Sequence, residues 1–192
     1  LTDGESWAKP GVASSEAKTG GVDYFSNIKL DYPEDVSIKT SDKVAVEVPD
    51  AQICPKYLAH YVGNVEVKES PDWLQQKLIS SGIRPISNIV DISNYVMLEL
   101  GQPLQAFDYN LLAENRFIVR RAQKGERLVS IDGKARTLDD SMLVIADAKK
   151  GVALAGVMGG QESEVSDATR HIHLESASFA PLNNRNTPKK LG

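Results

Sequence analysis

The sequence predicts an α+β fold in which mixed β-sheets form a sandwich-like core and a few helices pack against it. Helical periodicity occurs in the first half of the chain, and strand-like alternation fills most of the second half. This order favours separate helical and sheet regions over a regular βαβ repeat. With 192 residues, 41 % of them hydrophobic, the chain is long enough to bury a sizeable core.

Two helices are predicted in the first half of the chain. The first covers residues 70–82, with Ser70 as the N-cap and Pro71 at the first helical position. The second covers residues 86–101, where Gly101 ends a run of apolar side chains at helical spacing. The members of this run are Ile89, Ile92, Val96 and Leu100.

Strands are predicted where apolar and polar residues alternate, or where a short apolar run lies between turn residues. These segments are residues 43–48, 57–67, 116–122, 127–131, 141–147, 152–157 and 170–179. The dipeptide Asp132-Gly133 is the strongest hairpin signal in the chain. In the last strand, His171, His173 and Glu175 share one face because side chains alternate along a strand.

Residues 1–42 differ in composition from the rest of the chain. The stretch 11–21 is small and polar and has no hydrophobic period, which is typical of a linker or a loosely ordered arm. We therefore predict a tail over residues 1–42 and a folded module over residues 43–192.

Charge and cysteine content limit the classes of function. A formal net charge of −4 argues against a free-standing domain that binds nucleic acid by general electrostatics. The single cysteine, Cys54, cannot form an internal disulfide, which fits a reducing, cytoplasmic location. The sequence has neither a long apolar run nor a signal-peptide pattern, so we expect no membrane association.

The face that carries His171, His173 and Glu175 has a spacing that would suit a metal ion. The only other histidine is His60, and no second cluster supplies further ligands. Alternating polar residues on a half-exposed strand explain the pattern as well, and we predict no metal site.

Three further features remain open when the residues are considered alone. Gly156, Gly159 and Gly160 lack the spacing of a nucleotide-binding loop, so they indicate a turn, a close backbone approach or a ligand-facing backbone. Glu175 is either a surface charge or a buried carboxyl that needs a partner, such as the hydroxyl of a ligand. Gln105, in a short apolar strip, lies either on a surface turn or in a pocket.

Several long stretches of the sequence resemble the β subunit of bacterial phenylalanyl-tRNA synthetases, and specifically its editing module. They occur in the order and spacing of that module and are densest from Gly82 onward. Residues 1–42 resemble the variable segment that precedes it. The matching stretches are CPKYLAHYV at 54–62, GIRPISNIVDISNYVMLELGQPLQAFD at 82–108, IVRRAQKGERLVSIDGK at 118–134, TLDDSMLVIAD at 137–147, ALAGVMGG at 153–160 and LESASF at 174–179.

The resemblance implies that the chain is part of an α2β2 enzyme that attaches phenylalanine to tRNA(Phe). The ATP and Mg²⁺ used in that reaction belong to the α subunit, and the resemblance implies no cofactor in the present chain. The editing module hydrolyses tyrosine wrongly attached to the same tRNA. A second site is needed because a phenylalanine pocket rejects one added hydroxyl only weakly.

The resemblance also implies roles for single residues. Glu175 matches the glutamate that accepts a hydrogen bond from the tyrosine phenol. Gly159 matches a glycine that leaves room for the substrate, and Arg84 matches an arginine at the tRNA-facing edge of the site. The matching stretches also imply that a threonine and an alanine beyond residue 192 complete the pocket, so we expect one wall to be missing here.

Two positions depart from the family pattern. Gln105 stands where the family commonly has a histidine, and an amide can form hydrogen bonds but cannot exchange protons near neutral pH. We therefore expect Gln105 to position water or the terminal ribose, not to act as a general base. His173 stands where the family is usually apolar, and we favour a surface substitution over partial replacement of the lost imidazole.

The leading hypothesis is an editing module that hydrolyses tyrosyl-tRNA(Phe). The alternative is a non-catalytic tRNA-binding or scaffold module in which editing is weakened or lost, as Gln105 would allow. A metal-dependent hydrolase that uses His171 and His173 is a distant third hypothesis.

Overall fold

The computed structural model describes residues 37–191 of the chain. The chain divides into two units between Asp42 and Lys43, and the described sheets all belong to the second unit. The tail expected over residues 1–42 lies mostly outside the described residues. The strands and helices are β1 Ala45–Glu47, β2 Lys56–Gly63, α1 Asp72–Ser80, α2 Asn88–Leu100, β3 Gln105–Asp108, β4 Arg116–Arg121, β5 Arg127–Val129, β6 Ala135–Thr137, β7 Leu143–Ala146, β8 Gly151–Leu154, β9 Met158–Gly159, β10 His171–Ser178 and α3 Pro181–Leu191.

Within residues 37–191 the strands form three sheets. The largest has the order β1-β4-β7-β8-β9; β1 pairs with β4 in parallel, and the other pairs are antiparallel. A second, antiparallel sheet has the order β2-β10-β3, and β5 and β6 form a separate hairpin. The molecule therefore has the α+β fold of mixed sheets that the sequence predicts.

Buried aromatic rings join the five-stranded sheet to the three-stranded sheet. The ring centroid of Phe117 in β4 lies 5.2 Å from that of Phe107 in β3 and 3.9 Å from that of His173 in β10. All three side chains are fully buried. Strand β7 is buried along its whole length, with Leu143 and Ile145 packed into this core and Val144 and Ala146 packed into a second core on the other side of its sheet.

The strongest local signals in the sequence are confirmed. Asp132 and Gly133 form the turn between β5 and β6, where Gly133 adopts φ +77° and the Asp132 carboxylate accepts a hydrogen bond from the Ser130 hydroxyl at 2.5 Å. The predicted second helix ends at Gly101, whose φ of +71° requires the left-handed region that glycine tolerates.

The N-cap predicted for the first helix is wrong by one residue. Pro71 is the N-cap, and the Ser70 hydroxyl instead donates a hydrogen bond to Asp91 Oδ2 in α2 at 2.5 Å. Asp91 is fully buried, and its other oxygen accepts a hydrogen bond from the Ile86 backbone N–H at 2.9 Å. A buried polar contact therefore ties the start of α1 to α2.

The apolar stripe predicted for α2 is wrong at two of its four positions. Ile92 and Leu100 are 51 % and 50 % exposed, whereas Asp91 and Ser93 on the same helix are buried. The reason is that the side of α2 that carries Asp91 faces the start of α1, where Asp91 is hydrogen-bonded to Ser70. Hydrogen bonding, and not hydrophobicity alone, sets the orientation of this helix.

Strand β3 and helix α3 are two of the elements that were not predicted from the sequence. Strand β3 is only four residues long, and it pairs with β10, which lies more than sixty residues further along the chain. Helix α3 is strongly polar and has Pro188 inside it, so it shows neither an apolar stripe nor good helix propensity. Both elements contribute to the cavity described below.

We expect Asp91→Ala to lower the free energy of unfolding by about 2–4 kcal/mol, because it leaves the buried Ser70 hydroxyl and the partly buried Ile86 N–H without their acceptor. Urea unfolding followed by circular dichroism measures this loss. Glu99→Ala on the exposed side of α2 is the matched control and should change stability by less than about 0.5 kcal/mol. Equal effects of the two substitutions would contradict the assigned role of Asp91.

Candidate functional site

A cavity of about 480 Å³ lies where strands β3, β9 and β10 meet the loop after α2 and the beginning of α3. The two packed sheets both contribute walls. The apolar lining residues are Met97, Pro103, Leu104, Ile145, Ala153, Leu154, Val157, Met158, Ala177 and Phe179. The polar side chains on the walls are those of Gln102, Gln105, Glu175, Ser178 and Asn184.

The structure brings three of the four predicted site residues to this cavity, which Gln105, Gly159 and Glu175 all line. Gln105 in β3 pairs directly opposite Glu175 in β10, so the two side chains leave the same face of their sheet. A Cβ atom added to Gly159 would lie 3.1 Å from the Gln105 side-chain nitrogen, which shows how closely β9 approaches Gln105. Arg84, the fourth residue, is exposed between α1 and α2 and does not line the cavity.

The Glu175 carboxyl is the main electrostatic feature of the cavity. The residue is 5 % exposed, and among the described residues its Oε2 atom is buried without a hydrogen-bond partner. Burial, opposed to a smaller extent by the nearby Tyr57 hydroxyl, raises the pKa of Glu175 to about 8. At neutral pH the carboxyl is therefore mostly protonated and can both donate and accept a hydrogen bond.

Tyr57 and Cys54 lie behind Glu175 and were not named as site residues from the sequence. Tyr57 pairs with Ala177 across β2 and β10. Ala177 lies two residues after Glu175, so Tyr57 and Glu175 are on the same sheet face. Burial, followed by the neighbouring Glu175, raises the pKa of both the Tyr57 phenol and the Cys54 thiol, that of Cys54 to about 11. The alternation of Tyr57, Ala59 and Tyr61 along β2 was the one sequence pattern that could have placed Tyr57 on the inner face of the sheet.

His173 is not a surface substitution, and that expectation is wrong. Its ring is fully buried and stacks on Phe117, because the face of β10 that carries His173 and Glu175 points into the core between the sheets. Burial, with a smaller contribution from nearby His60, lowers the pKa of His173 to about 3, so the ring is neutral at physiological pH. His173 does not line the cavity and so cannot supply there the imidazole that Gln105 lacks.

The three glycines of the ALAGVMGG stretch meet different structural requirements. Gly156 has φ +68° and forms a turn. A Cβ atom on Gly160 would lie 2.3 Å from the Val152 carbonyl oxygen, so glycine is needed there for the strands to approach. Only Gly159 combines burial with a place on the cavity wall.

Within residues 37–191 no group of three or more His, Cys, Asp or Glu side chains is placed to hold a metal ion. His171 Nδ1 lies 2.8 Å from the Tyr61 hydroxyl, and the His173 ring is in the core. Of the described residues that line the cavity, Glu175 is the one with a titratable side chain. The cavity can therefore form hydrogen bonds with a ligand and exclude water from it, and among its described lining residues Glu175 is the one that can exchange a proton.

Residues 53–192 match the B3/4 domain family. The chain belongs to that family. The chain is 41 % identical over 181 residues to the phenylalanine–tRNA ligase β subunit of Clostridium acetobutylicum, covering 94 % of the chain and 23 % of that relative. It is 54 % identical over 144 residues to the corresponding subunit of Symbiobacterium thermophilum, covering 75 % of the chain and 16 % of that relative. The chain thus spans less than a quarter of the length of these relatives.

A solved structure has a similar fold. An N-terminal fragment of the phenylalanyl-tRNA synthetase β subunit from Pyrococcus horikoshii superposes with a TM-score of 0.52 at 13 % identity, covering 71 % of the present chain and 43 % of that one. At this identity the likeness concerns the fold alone. Among residues 37–191, no helix has the length and apolar character needed to cross a lipid bilayer.

The raised pKa of Glu175 predicts a pH dependence of stability. In the unfolded chain this carboxyl ionises near its ordinary pKa of 4.5, whereas in the fold it keeps its proton up to about pH 8. Ionisation of Glu175 should therefore lower stability as pH rises from about 4.5 to 8. Below about pH 6.5 the lowered pKa of His173 acts in the opposite direction, so the net decline should appear between about pH 6.5 and 8. Glu175→Gln should remove that decline. Urea unfolding across this range measures it; the exposed control Glu164→Gln should retain the decline, and loss of the decline in both variants would contradict the assignment.

Proposed function

We propose that this chain is the editing module of a phenylalanyl-tRNA synthetase β chain and hydrolyses tyrosine wrongly attached to tRNA(Phe). The observation that carries the proposal is the cavity with apolar walls and one buried carboxyl, Glu175, whose Oε2 has no hydrogen-bond partner among the described residues. Membership of the B3/4 domain family and the β-subunit relatives support it.

The chemistry of the cavity suits a phenol better than a phenyl group. The apolar walls, among them Phe179 and Leu104, can accommodate an aromatic ring. The phenol hydroxyl of tyrosine would pair with the Glu175 carboxyl, whereas phenylalanine would leave this buried polar group unpaired. An unpaired buried polar group costs about 1–3 kcal/mol, which is enough for substantial discrimination.

Hydrolysis would proceed without a histidine in the cavity. Water attacks the ester carbonyl carbon, the bond to the ribose oxygen breaks, and that oxygen takes up a proton, so the products are tyrosine and tRNA(Phe). Gln105 would position the water or the ribose through its amide. The adjacent ribose hydroxyl of the substrate would assist in activating the water, since Glu175 is committed to the phenol.

The proposal extends to the assembly. The chain would act in an α2β2 synthetase in the cytoplasm, with the α subunit supplying the site where ATP and Mg²⁺ are used to attach phenylalanine. It would bind the end of tRNA(Phe), and Arg84 would lie at the tRNA-facing edge of the site. The present chain would have no aminoacylation activity by itself.

One observation favours a second candidate function. Gln105 cannot act as a general base, and no other lining residue except Glu175 among those described can exchange a proton. The chain would then be a tRNA-binding or scaffold module of the β chain in which editing is weakened or lost. Deacylation of tyrosyl-tRNA(Phe) by the α2β2 enzyme separates the candidates, because hydrolysis no faster than the spontaneous background would rule out editing.

Glu175→Ala should reduce the preference of the enzyme for tyrosyl over phenylalanyl ester by at least about tenfold, because it removes the partner of the phenol. The measurement is deacylation of both tRNA esters by the α2β2 enzyme that contains the variant β chain. Glu164→Ala, at an exposed position, is the control and should leave the preference unchanged. Equal loss for both esters would show that Glu175 has a different role.

Gln105→His should increase deacylation of tyrosyl-tRNA(Phe) by about a hundredfold, because a positioned imidazole can take a proton from the attacking water. The rate should also acquire a dependence on pH near neutrality. Gln102→His places an imidazole elsewhere on the same cavity wall and is the matched control. If the two variants behave alike, Gln105 does not lie beside the reacting ester.

A further inference from the structure

Tyr57 occupies a position that the proposed function leaves unexplained. It is the tyrosine of the CPKY stretch, begins the inner face of β2, and packs its ring 6.3 Å from that of Phe117 in the core. Its hydroxyl is buried and has no hydrogen-bond partner among residues 37–191. A phenylalanine would fill the same apolar space without leaving a buried hydroxyl unpaired, so packing alone does not account for this tyrosine.

The second unpaired group lies next to it. Glu175 Oε2 is likewise buried without a partner in the described part of the chain. The strand register places Tyr57 diagonally across from Glu175 on one sheet face, a separation that a tyrosine side chain can span. The two groups also affect each other, since Glu175 raises the pKa of Tyr57 and the Tyr57 hydroxyl lowers that of Glu175.

We propose that Tyr57 is the positioning residue for Glu175: its hydroxyl pairs with Oε2 and thereby leaves Oε1 available to the hydroxyl of a bound ligand. Tyr57 itself does not line the cavity, so it acts through Glu175 and does not touch the substrate. The inference rests on the proposed editing function for the identity of that ligand, a phenol, but not for the pairing of the two side chains.

A hydroxyl suits this position better than a group that can only donate or only accept a hydrogen bond. It donates to the carboxylate and accepts from the protonated carboxyl, so it can pair with Glu175 in either protonation state. Cys54, the other neighbour of Glu175 in the CPKY stretch, already directs its thiol to the Lys56 carbonyl oxygen at 3.5 Å. The CPKY stretch thus forms the wall behind the carboxyl.

The test is a titration of Glu175 in the 192-residue chain, followed by NMR of ¹³C-labelled carboxyl groups. Because the hydroxyl lowers the pKa of Glu175, Tyr57→Phe should raise that pKa by about one unit. Tyr61→Phe is the matched control, since Tyr61 lies on the same strand face but directs its hydroxyl to His171. Glu175→Gln identifies the signal. A rise below half a unit, or an equal rise in both tyrosine variants, would overturn the proposal.

A second measurement does not depend on the folding of Tyr57→Phe. In the unsubstituted chain, the hydroxyl-bearing ring carbon of Tyr57 should shift as Glu175 titrates near pH 8, and this step should be absent from Glu175→Gln. A Tyr57 signal that is insensitive to that titration would refute the pairing. No tRNA is needed for either measurement, so a failure here leaves the editing proposal standing, and an absence of hydrolysis leaves the pairing standing.

Discussion

The packing of the His173 and Phe107 rings against Phe117 is the contact on which the rest of the structure depends. It closes the three-stranded sheet against the five-stranded sheet and removes water from the inner face of β10. Every polar group on that face must then be neutral or paired. His173 and Glu175, two residues apart on one strand, therefore both become neutral, one by losing a proton and the other by keeping it.

This constraint explains why the cavity has its particular character. A carboxyl that stays protonated in an apolar environment still needs a hydrogen-bond partner, and the fold leaves one of its oxygens without one among the described residues. The Tyr57 hydroxyl takes that oxygen in the pairing we propose, and the hydroxyl of a ligand would satisfy the other oxygen, Oε1. In the proposed function, the selectivity of the site would thus originate in the packing of the sheets and not in the cavity walls alone.

Local signals in the sequence predicted much of the fold. The turn at Asp132-Gly133, the helix end at Gly101 and the alternation in β10 each depend on a few adjacent residues, and all are present in the structure. Strand β3 could not be predicted because four residues carry too little pattern and its partner is distant. The N-cap predicted at Ser70 is wrong because the Ser70 hydroxyl bonds to Asp91 in another helix.

The site shows the same division. Gln105, Gly159 and Glu175 were found through family resemblance, whereas the residues alone left their roles open. Burial of His173 could not be inferred, since an imidazole between polar neighbours looks like an exposed strand face. Tyr57 was missed because its relation to Glu175 exists only across the register of β2 and β10.

The position of the cavity between the sheets has a thermodynamic consequence. Gln105 and Glu175 belong to one sheet, whereas Ala153 and Gly159 belong to the other. A molecule in the cavity therefore contacts both sheets, as a core side chain does. A ligand that binds this cavity binds only the folded chain, so its binding free energy adds to the free energy of unfolding. At a free concentration of a hundred times its dissociation constant, it would stabilise the fold by about 2.7 kcal/mol. Candidate amino acids and their esters can therefore be ranked by the rise in melting temperature that each produces, without any assay of catalysis.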